Sequence, residues 1–407
     1  MKILLVTRGS QGDVYPYFAL AAELQKRGHA VTLSLPEIFK ERAEEFGLPY
    51  VLQAPDDIMD MVGGVPDTKN LLKWTRRVID SQFKELPALL KEHDVLIASN
   101  TEFAAASIAE YGGKPLIRTA YGPFIPSKKI LPPISPLVKP HPFLKPMTLW
   151  KSLNRGLNFM VKKTINNNRQ QLGLPPITCQ AKHAPSNSDN LLLYSKHLGN
   201  IDEDWNYKWG ITGYCFNDLL PYSEDELAKV INFIKKDERP TIYFSLGSCN
   251  AKQSDRFASL LHNICTKHGY KLLLSKGWWN AGAELNDQDN IFRIEGVIPH
   301  RLFFPYCSGI IHHGGTGTTH SAARAGRPQL ITPIILDQFY WGQRVHELAL
   351  GPSVVKIKGI TEETLEIKIL DLVTNSLYQQ NAKAMSKLLE EEGGLIKTCE
   401  YIEKYNL

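Results

Sequence analysis

Two series of short apolar runs, each followed by a turn and a segment of helical period, constrain this chain more than any other feature. The first run is KILLVT, Lys2 to Thr7. It is short, apolar and closed by the turn RGSQGD, which predicts a buried strand. Pro16 is expected to open the helix that follows. YFALAAELQKRG carries apolar residues at helical spacing, with Lys26 and Arg27 in the last turn and Gly28 as the stop. HAVTLSL is the next strand. A strand–turn–helix–strand opening predicts a parallel sheet with right-handed crossovers. DVLIAS, the helix EFAAASIAEYGG, KPLIRTA, NLLLYS and YKWGITG complete this half.

A second series starts at RPTIYFSLGS, Arg239 to Ser248. DRFASLLHNICTKHG, YKLLLSKG, NIFRIEGVIPH, SGIIHHGG, THSAARAG, RPQLITPI and DQFYWGQRVHELALG follow it. With 407 residues, 43% of them hydrophobic, the chain exceeds one ordinary core. The expected organisation is an N-terminal α/β domain over 1–217, a C-terminal one over 218–390, and a last helix over 391–407. The boundary falls at NDLLPYSEDEL, where Pro221 marks a linker and SEDE has the form of a helix start.

Composition excludes several classes. A net charge of +5 does not argue for nucleic acid. The six cysteines are scattered without C-x-x-C spacing, which argues against a zinc or redox motif and fits a reducing cytoplasm. The apolar run after Met1 is too short for a signal peptide, and no run of about 20 apolar residues would span a membrane. A soluble or peripheral protein is expected. One segment breaks the composition. From Tyr111 to Ser188 there is no acid, but there are twelve lysines and arginines and twelve prolines. This stretch is either a loop with a solvated basic helix or a basic, apolar surface for an anionic membrane or a lipid-like substrate.

Three short stretches carry candidate chemistry. Gly9 and Gly12 lie in the first strand–helix turn, where an α/β sheet opens its ligand crevice. The turn lacks G-x-G-x-x-G, and the second strand ends LSLPE without the acid a dinucleotide ribose needs. Asp13 follows the turn, equally suited to a helix cap and to a carboxylate aimed into the crevice. SLGS, Ser245 to Ser248, is a second glycine turn. The third stretch, HHGGTGTT, joins a strand to a helix. Gly314, Gly315 and Gly317 let backbone N–H groups converge at the helix start, and Thr316, Thr318 and Thr319 add hydroxyls. A diphosphate suits that set, and His313 could add a hydrogen bond. A P-loop would need a lysine, and His312, His313 and His320 lack the spacing of a zinc site. Asp337 and Gln338, after the apolar run ITPIIL, suit a vicinal diol or cap a helix; periodicity does not separate the two. The acidic DED at Asp202–Asp204 reads as a surface run.

In this order, these parts resemble the GT-B glycosyltransferases that use nucleotide-sugar donors, of the sterol glucosyltransferase type and the bacterial type that glycosylates antibiotic aglycones. RGSQGDVYPYFALAAEL, FSLGS, NNNRQQLGLPP and above all the stretch from Glu295 to Gly351 carry the likeness, which spans nearly the whole chain. HHGGTGTT followed by P and DQ-x-x-W-G-x-R-V is its specific core. The resemblance implies two facing Rossmann-like domains with parallel sheets, the acceptor in the first and the donor in the second, and a last helix that crosses back to the first. It implies that Val297 pairs with the base through its backbone and that Trp278 or Trp279 lines the base pocket. It places the diphosphate on Ser248, His313, Gly315, Thr316, Gly317 and Thr318, and the hexose on Asp337 and Gln338. It puts Ser10, Gly12, Tyr121 and Phe124 on the acceptor side.

Plant-type relatives pair a histidine in the first turn with an aspartate after a later strand. Here the turn holds Asp13, and Ser99 and Asn100 stand where the second acid would be, so that dyad is absent. The bacterial type has an aspartate in the turn, which implies Asp13 as general base in an inverting transfer. The expected donor is UDP-glucose, with a dTDP-sugar as the other nucleotide, and no metal or cofactor is needed. The expected acceptor is a lipophilic alcohol or phenol such as a sterol or a polyketide-type aglycone. A non-catalytic nucleotide-sugar or lipid binding protein on the same scaffold is the rival class; it would require a damaged first turn, and GSQGD is intact.

Overall fold

The computed structural model describes residues 1–55, 68–134, 145–249, 253–278, 280–285 and 289–405. Trp279 and most of the proline cluster at 131–146 lie outside them. The N-terminal half holds β1 (Lys2–Val6), α1 (Gln11–Lys26), β2 (Ala30–Leu35), α2 (Lys40–Glu45), β3 (Tyr50–Leu52), α3 (Thr68–Lys91), β4 (Val95–Ser99), α4 (Ala105–Gly112) and β5 (Leu116–Ala120). It continues with α5 (Pro146–Gln171), α6 (Gln180–Ser186), β6 (Asp189–Leu192) and β7 (Trp209–Ile211). All seven strands pair in parallel, in the order β3-β2-β1-β4-β5-β6-β7. The order reverses between β1 and β4, so the crevice of this sheet opens at the carboxyl ends of those two strands.

The C-terminal half holds α7 (Glu224–Lys235), β8 (Thr241–Ser245), α8 (Ser254–Lys267), β9 (Lys271–Ser275), β10 (Ile291–Ile294), β11 (Gly309–His312), α9 (Thr316–Arg324), β12 (Gln329–Ile331), α10 (Gln338–Glu347) and α11 (Glu362–Thr374). Its five strands are parallel, in the order β10-β9-β8-β11-β12, and the reversal lies between β8 and β11. The turns SLGS and HHGG follow those two strands and share one crevice. The last two helices are α12 (Ser376–Glu392) and α13 (Gly394–Glu403). Cys399 and Ile402 of α13 join the apolar core around α1, and Arg27 pairs with Glu403 at 2.9 Å.

The halves meet through apolar packing. Leu192, Tyr194 and Trp205 share one cluster with Trp341, Val345, Met385 and Leu389. Trp341 is fully buried, 5.9 Å from the Tyr194 ring and 5.1 Å from the His320 ring.

Two expectations are corrected here. α1 starts at Gln11, not at Pro16, because Ser10 caps it and Asp13 returns a hydrogen bond to the cap. Pro16 sits inside the helix, where its missing N–H costs only the bond to the carbonyl of Gly12, an exposed residue. The DED run is not all surface. Asp202 is buried, accepts from the Ser127 hydroxyl at 2.5 Å and from the Asp204 N–H at 3.1 Å, and so pins the loop after β5.

Candidate functional site

Asp13 stands at the β1/β4 crevice as the third residue of α1. Its Oδ2 accepts from the Ser10 N–H at 2.8 Å and from the Ser10 hydroxyl at 3.2 Å. Cap and crevice residue are thus one and the same side chain. Gly9 is required beneath it. With φ at +139°, a Cβ there would lie 2.2 Å from Asp13 Oδ2. Burial lifts the Asp13 carboxyl from 3.8 to about 6; the Ser10 hydrogen bonds oppose the rise and the nearby Asp337 charge adds to it. Gly12 is exposed at the helix start.

A chain of contacts links Asp13 to the other half. The Tyr121 hydroxyl donates to the Asp13 carbonyl at 2.9 Å. The Tyr121 carbonyl lies 3.0 Å from the Thr316 hydroxyl, which is 3.2 Å from Asp337 Oδ2 and has one proton to share between them. The Trp341 indole also donates to Asp337 Oδ2, at 3.2 Å. Burial raises the Asp337 carboxyl above its usual range. Asp13, Tyr121, Thr316 and Asp337 therefore face one space between the two sheets. Phe124 lies just beyond, against Gly122.

Glycines shape the second crevice. α9 begins at Thr316 with Gly315 as its cap, so the backbone N–H groups of Thr316, Gly317 and Thr318 point out of the helix. No acid stands in that first turn. His313 fills the gap between the two turns: a Cβ on Gly247 would be 2.8 Å from its ring, and one on Gly315 would be 2.5 Å. Its Nδ1 is buried and has no hydrogen-bond partner, and burial pushes the ring down to about 4, so it is neutral at pH 7. Ser248 lies half-buried beside Gly247.

The other two histidines of this stretch are structural. The His312 Nε2–H donates to Gln329 at 2.9 Å, and its Nδ1 accepts from the Gly314 N–H at 3.1 Å, which holds the glycine turn. The His320 Nδ1–H donates to the Thr316 carbonyl at 2.8 Å, and its Nε2 accepts from the Ser195 N–H at 3.0 Å, across the two halves.

Gln338 does not join Asp337 in the crevice. It is buried, with Oε1 accepting from the Ile334 and Ile335 N–H groups at 2.7 and 3.0 Å and Nε2 donating to Cys249 Sγ at 3.1 Å. Those partners make it the brace of the turn that presents Asp337. Trp278 packs against the apolar cluster of the N-terminal half, and its backbone N–H donates to the Gly247 carbonyl at 3.0 Å. Val297 is on the loop after β10. The preceding residues are clamped by Glu226 of α7, which accepts from the Glu295 N–H at 2.7 Å and the Gly296 N–H at 2.9 Å.

Sequence reasoning missed Glu102 and Arg8. Glu102 is buried three residues past Ser99, and burial drives its carboxyl up to about 7, with Arg8 opposing and Asp13 adding. The one available signal was an acid in the segment leaving an apolar strand. Its partners, Gln82 of α3 and the field of Arg8, are distant in sequence.

The model of the glycosyltransferase family 28 N-terminal domain matches residues 3–122, and that of the erythromycin biosynthesis protein CIII-like C-terminal domain matches 280–392. A sterol 3-beta-glucosyltransferase of Arabidopsis thaliana is 25% identical over 97% of this chain, which spans 64% of that protein's length. The vancomycin aglycone glucosyltransferase of Amycolatopsis orientalis is 30% identical over 86% of this chain and 85% of its own. The crystal structure of the glycosyltransferase of kitacinnamycin has the same fold, with a TM-score of 0.76, 17% identity, and coverage of 99% of this chain and 98% of that one.

Proposed function

The chain belongs to the GT-B glycosyltransferases of the sterol and antibiotic-aglycone type, and from that premise we propose that it is an inverting hexosyltransferase moving glucose from UDP-glucose to a hydroxyl of a lipophilic acceptor. The observation that carries this is the contact chain Asp13–Tyr121–Thr316–Asp337. It sets a carboxylate of one half opposite a helix start and a second carboxylate of the other.

The acceptor hydroxyl loses its proton to Asp13 as its oxygen attacks the anomeric carbon. The bond from that carbon to the diphosphate breaks on the opposite face, so an α-linked donor gives a β-glycoside. A carboxylate with pKa about 6 is a modest base toward an alcohol. It suffices because proton transfer comes late in an oxocarbenium-like displacement. The leaving diphosphate gathers charge, which the N–H groups of Thr316, Gly317 and Thr318 and the His313 ring are placed to meet. Ser248 joins this set from the facing turn. With Oδ2 of Asp337 held by Thr316 and Trp341, Oδ1 is assigned to the sugar hydroxyls. Val297 is assigned to the base through its backbone, with Trp278 closing the far wall; a dTDP-sugar would use the same diphosphate site.

Peripheral membrane contact belongs to the same reading. On α5, Lys151, Arg155, Phe159 and Lys163 are exposed at four-residue spacing, and Phe159 is 78% exposed. A cationic stripe with an aromatic at its centre suits an anionic bilayer, the place to meet a lipophilic acceptor. Among the described residues no helix is long and apolar enough to cross a membrane.

The test is purified protein with UDP-glucose and a panel of sterols and phenols, read by mass spectrometry for a hexosyl adduct and by NMR for its anomeric configuration. A β-glycoside supports the proposal. Retention of configuration removes the inverting mechanism, and absence of both transfer and donor hydrolysis removes the transferase reading.

A further inference from the structure

We propose that the Tyr214 hydroxyl, on the linker between the two halves, donates a hydrogen bond to the β-phosphate of the nucleotide-sugar donor; this rests on reading the start of α9 as the diphosphate site.

Tyr214 follows β7, on the segment that leaves the first sheet for α7. Its backbone is closely held: a Cβ on Gly394, at the start of α13, would lie 2.4 Å from the Tyr214 carbonyl oxygen. Its ring stacks on the His320 ring of α9, with centres 4.9 Å apart and planes at 27°. The Phe216 and Tyr121 rings pack against it at 5.0 and 6.3 Å. The hydroxyl lies one turn nearer the start of α9. A Cβ on Gly317 would be 2.6 Å from the hydroxyl oxygen and 3.5 Å from Cζ. Gly317 and His320 share one face of the helix. The phenol therefore runs along α9 from His320 toward its N-terminal end, with its hydroxyl beside the first turn. Gly317 is helical and outside the left-handed region, so its backbone does not require glycine. What excludes a side chain there is the Tyr214 hydroxyl.

That hydroxyl is unspent. Tyr214 is 7% exposed, and its hydroxyl has no hydrogen-bond partner among the described residues and is not sealed from solvent. A buried phenol with its one polar atom open and unpaired at a helix start calls for a ligand there. The neighbouring groups set that ligand's charge. The N–H groups of Thr316, Gly317 and Thr318 have no carbonyl to meet within the helix, and the helix dipole favours an anion beside them. Tyr214 adds a donor that stays protonated: burial first, then Cys215 and the Asp13 charge, raise its phenol above the usual range. A set made of donors suits phosphate oxygens. Position selects the phosphate. The Tyr214 ring packs on Tyr121, whose hydroxyl donates to the Asp13 carbonyl, so Tyr214 lies on the Asp13 side of the helix start. The anomeric carbon attacked next to Asp13 is bonded to the β-phosphate, which places that phosphate on this side. As the carbon–oxygen bond breaks, its electron pair goes to the β-phosphate oxygen. The phenol keeps its proton and stabilises that oxygen by the hydrogen bond.

Calorimetric affinities for UDP and UMP test this, with dTDP and dTMP as the pair if dTDP binds tighter. They are measured on the wild type, Tyr214→Phe, Gly317→Ala and the double variant. Phenylalanine removes only the hydroxyl and keeps the stack on His320. In Tyr214→Phe, diphosphate affinity should fall by about 10- to 100-fold, the range for a hydrogen bond to a charged group. Monophosphate affinity and Tm should hold, since neither uses the hydroxyl. Gly317→Ala should reproduce the loss, because its methyl group displaces the hydroxyl. With phenylalanine at 214 there is no hydroxyl to displace, so the double variant should bind no more weakly than either single one. Unchanged diphosphate affinity in Tyr214→Phe would overturn the proposal. So would an equal loss for both nucleotides, which marks a structural role, or losses that add in the double variant. All three outcomes leave the transferase reading intact. A wild type that binds neither diphosphate more tightly than its monophosphate would remove the diphosphate site, and the role of Tyr214 with it.

Discussion

Replacing Asp13 by asparagine should cost the protein its activity and add to its stability. The carboxyl is lifted from 3.8 to about 6, chiefly by burial. That rise means the ionised form is disfavoured in the folded state by about 3 kcal/mol at neutral pH. Asp13 keeps part of its surface in water, so solvent screening brings the figure down to about 1–2 kcal/mol. Asparagine is isosteric, carries no charge and can still accept from the Ser10 N–H that now meets Oδ2 at 2.8 Å. For a domain of this size the gain corresponds to a rise in Tm of about 2–6 °C.

The sign with pH is fixed by the direction of the shift. A carboxyl whose folded pKa lies above its unfolded one stabilises the fold fully below about 4, and that contribution is lost as pH rises through about 6. Asp13→Asn should therefore match the wild type at pH 4, pull ahead between pH 4 and 6, and hold a constant lead above that. Wild-type kcat/KM should rise with the same midpoint near 6 and then level, because the base works only when ionised. Scanning calorimetry across pH, with initial rates on the same samples, measures both. Turnover should fall by about two to four orders of magnitude while UDP binding persists. Near wild-type turnover in Asp13→Asn would refute the base assignment. A lower Tm at pH 8 would refute the argument from the buried charge.

Three further outcomes follow from the geometry. Gly315→Ala puts a methyl group 2.5 Å from the His313 ring, so calorimetric affinity for UDP should fall by about tenfold or more as the ring is driven off the diphosphate site. Glu226→Ala frees the Glu295 and Gly296 N–H groups; UDP affinity should drop by about three- to tenfold, with a stability change under about 1 kcal/mol because the clamp is solvent-exposed. Reversing Lys151, Arg155 and Lys163 to glutamate should lower co-sedimentation with phosphatidylglycerol vesicles by about 10- to 100-fold, and a wild-type protein that ignores such vesicles would remove the membrane contact.

The sequence carried the parallel architecture because that signal is local: a short apolar run, a turn and a helical period recur twice, and each repeat is its own evidence. Both crevices were legible for the same reason, since glycine turns directly follow β1, β8 and β11, three of the four strands that flank them. Side-chain roles decided by distant partners were not legible. Nothing near Gln338 says that its amide will be spent on Ile334, Ile335 and Cys249. Asp202 looks like a surface acid until Ser127 is brought to it. Glu102 stands two residues past a position examined for an acid, and only Gln82, twenty residues earlier, shows that it points inward. The start of α1 was misplaced because proline is a local cue for a helix start, while the competing cue, Ser10 with Asp13 three residues on, has aspartate where a glutamate is the usual partner.

That same substitution explains how one residue can serve both fold and crevice. In a capping box the third helical residue reaches back over the cap, and the shorter aspartate can do so here only because Gly9 leaves the space. The hydrogen bonds that hold the carboxylate also limit how far burial can raise it, so it remains ionised at neutral pH and points into the crevice. The other half repeats the device at its own switch point, where His312 fixes Gly314 and leaves His313 with an unsatisfied nitrogen. Each half thus spends one side chain on shaping a glycine turn. Neither turn is complete without the other, since Thr316 rests on the Tyr121 carbonyl and Tyr121 on Asp13. Separating the halves by the width of one hydrogen bond would part Asp13 from the start of α9, so the aromatic core of Tyr194, His320 and Trp341 holds the crevice together as well as the fold.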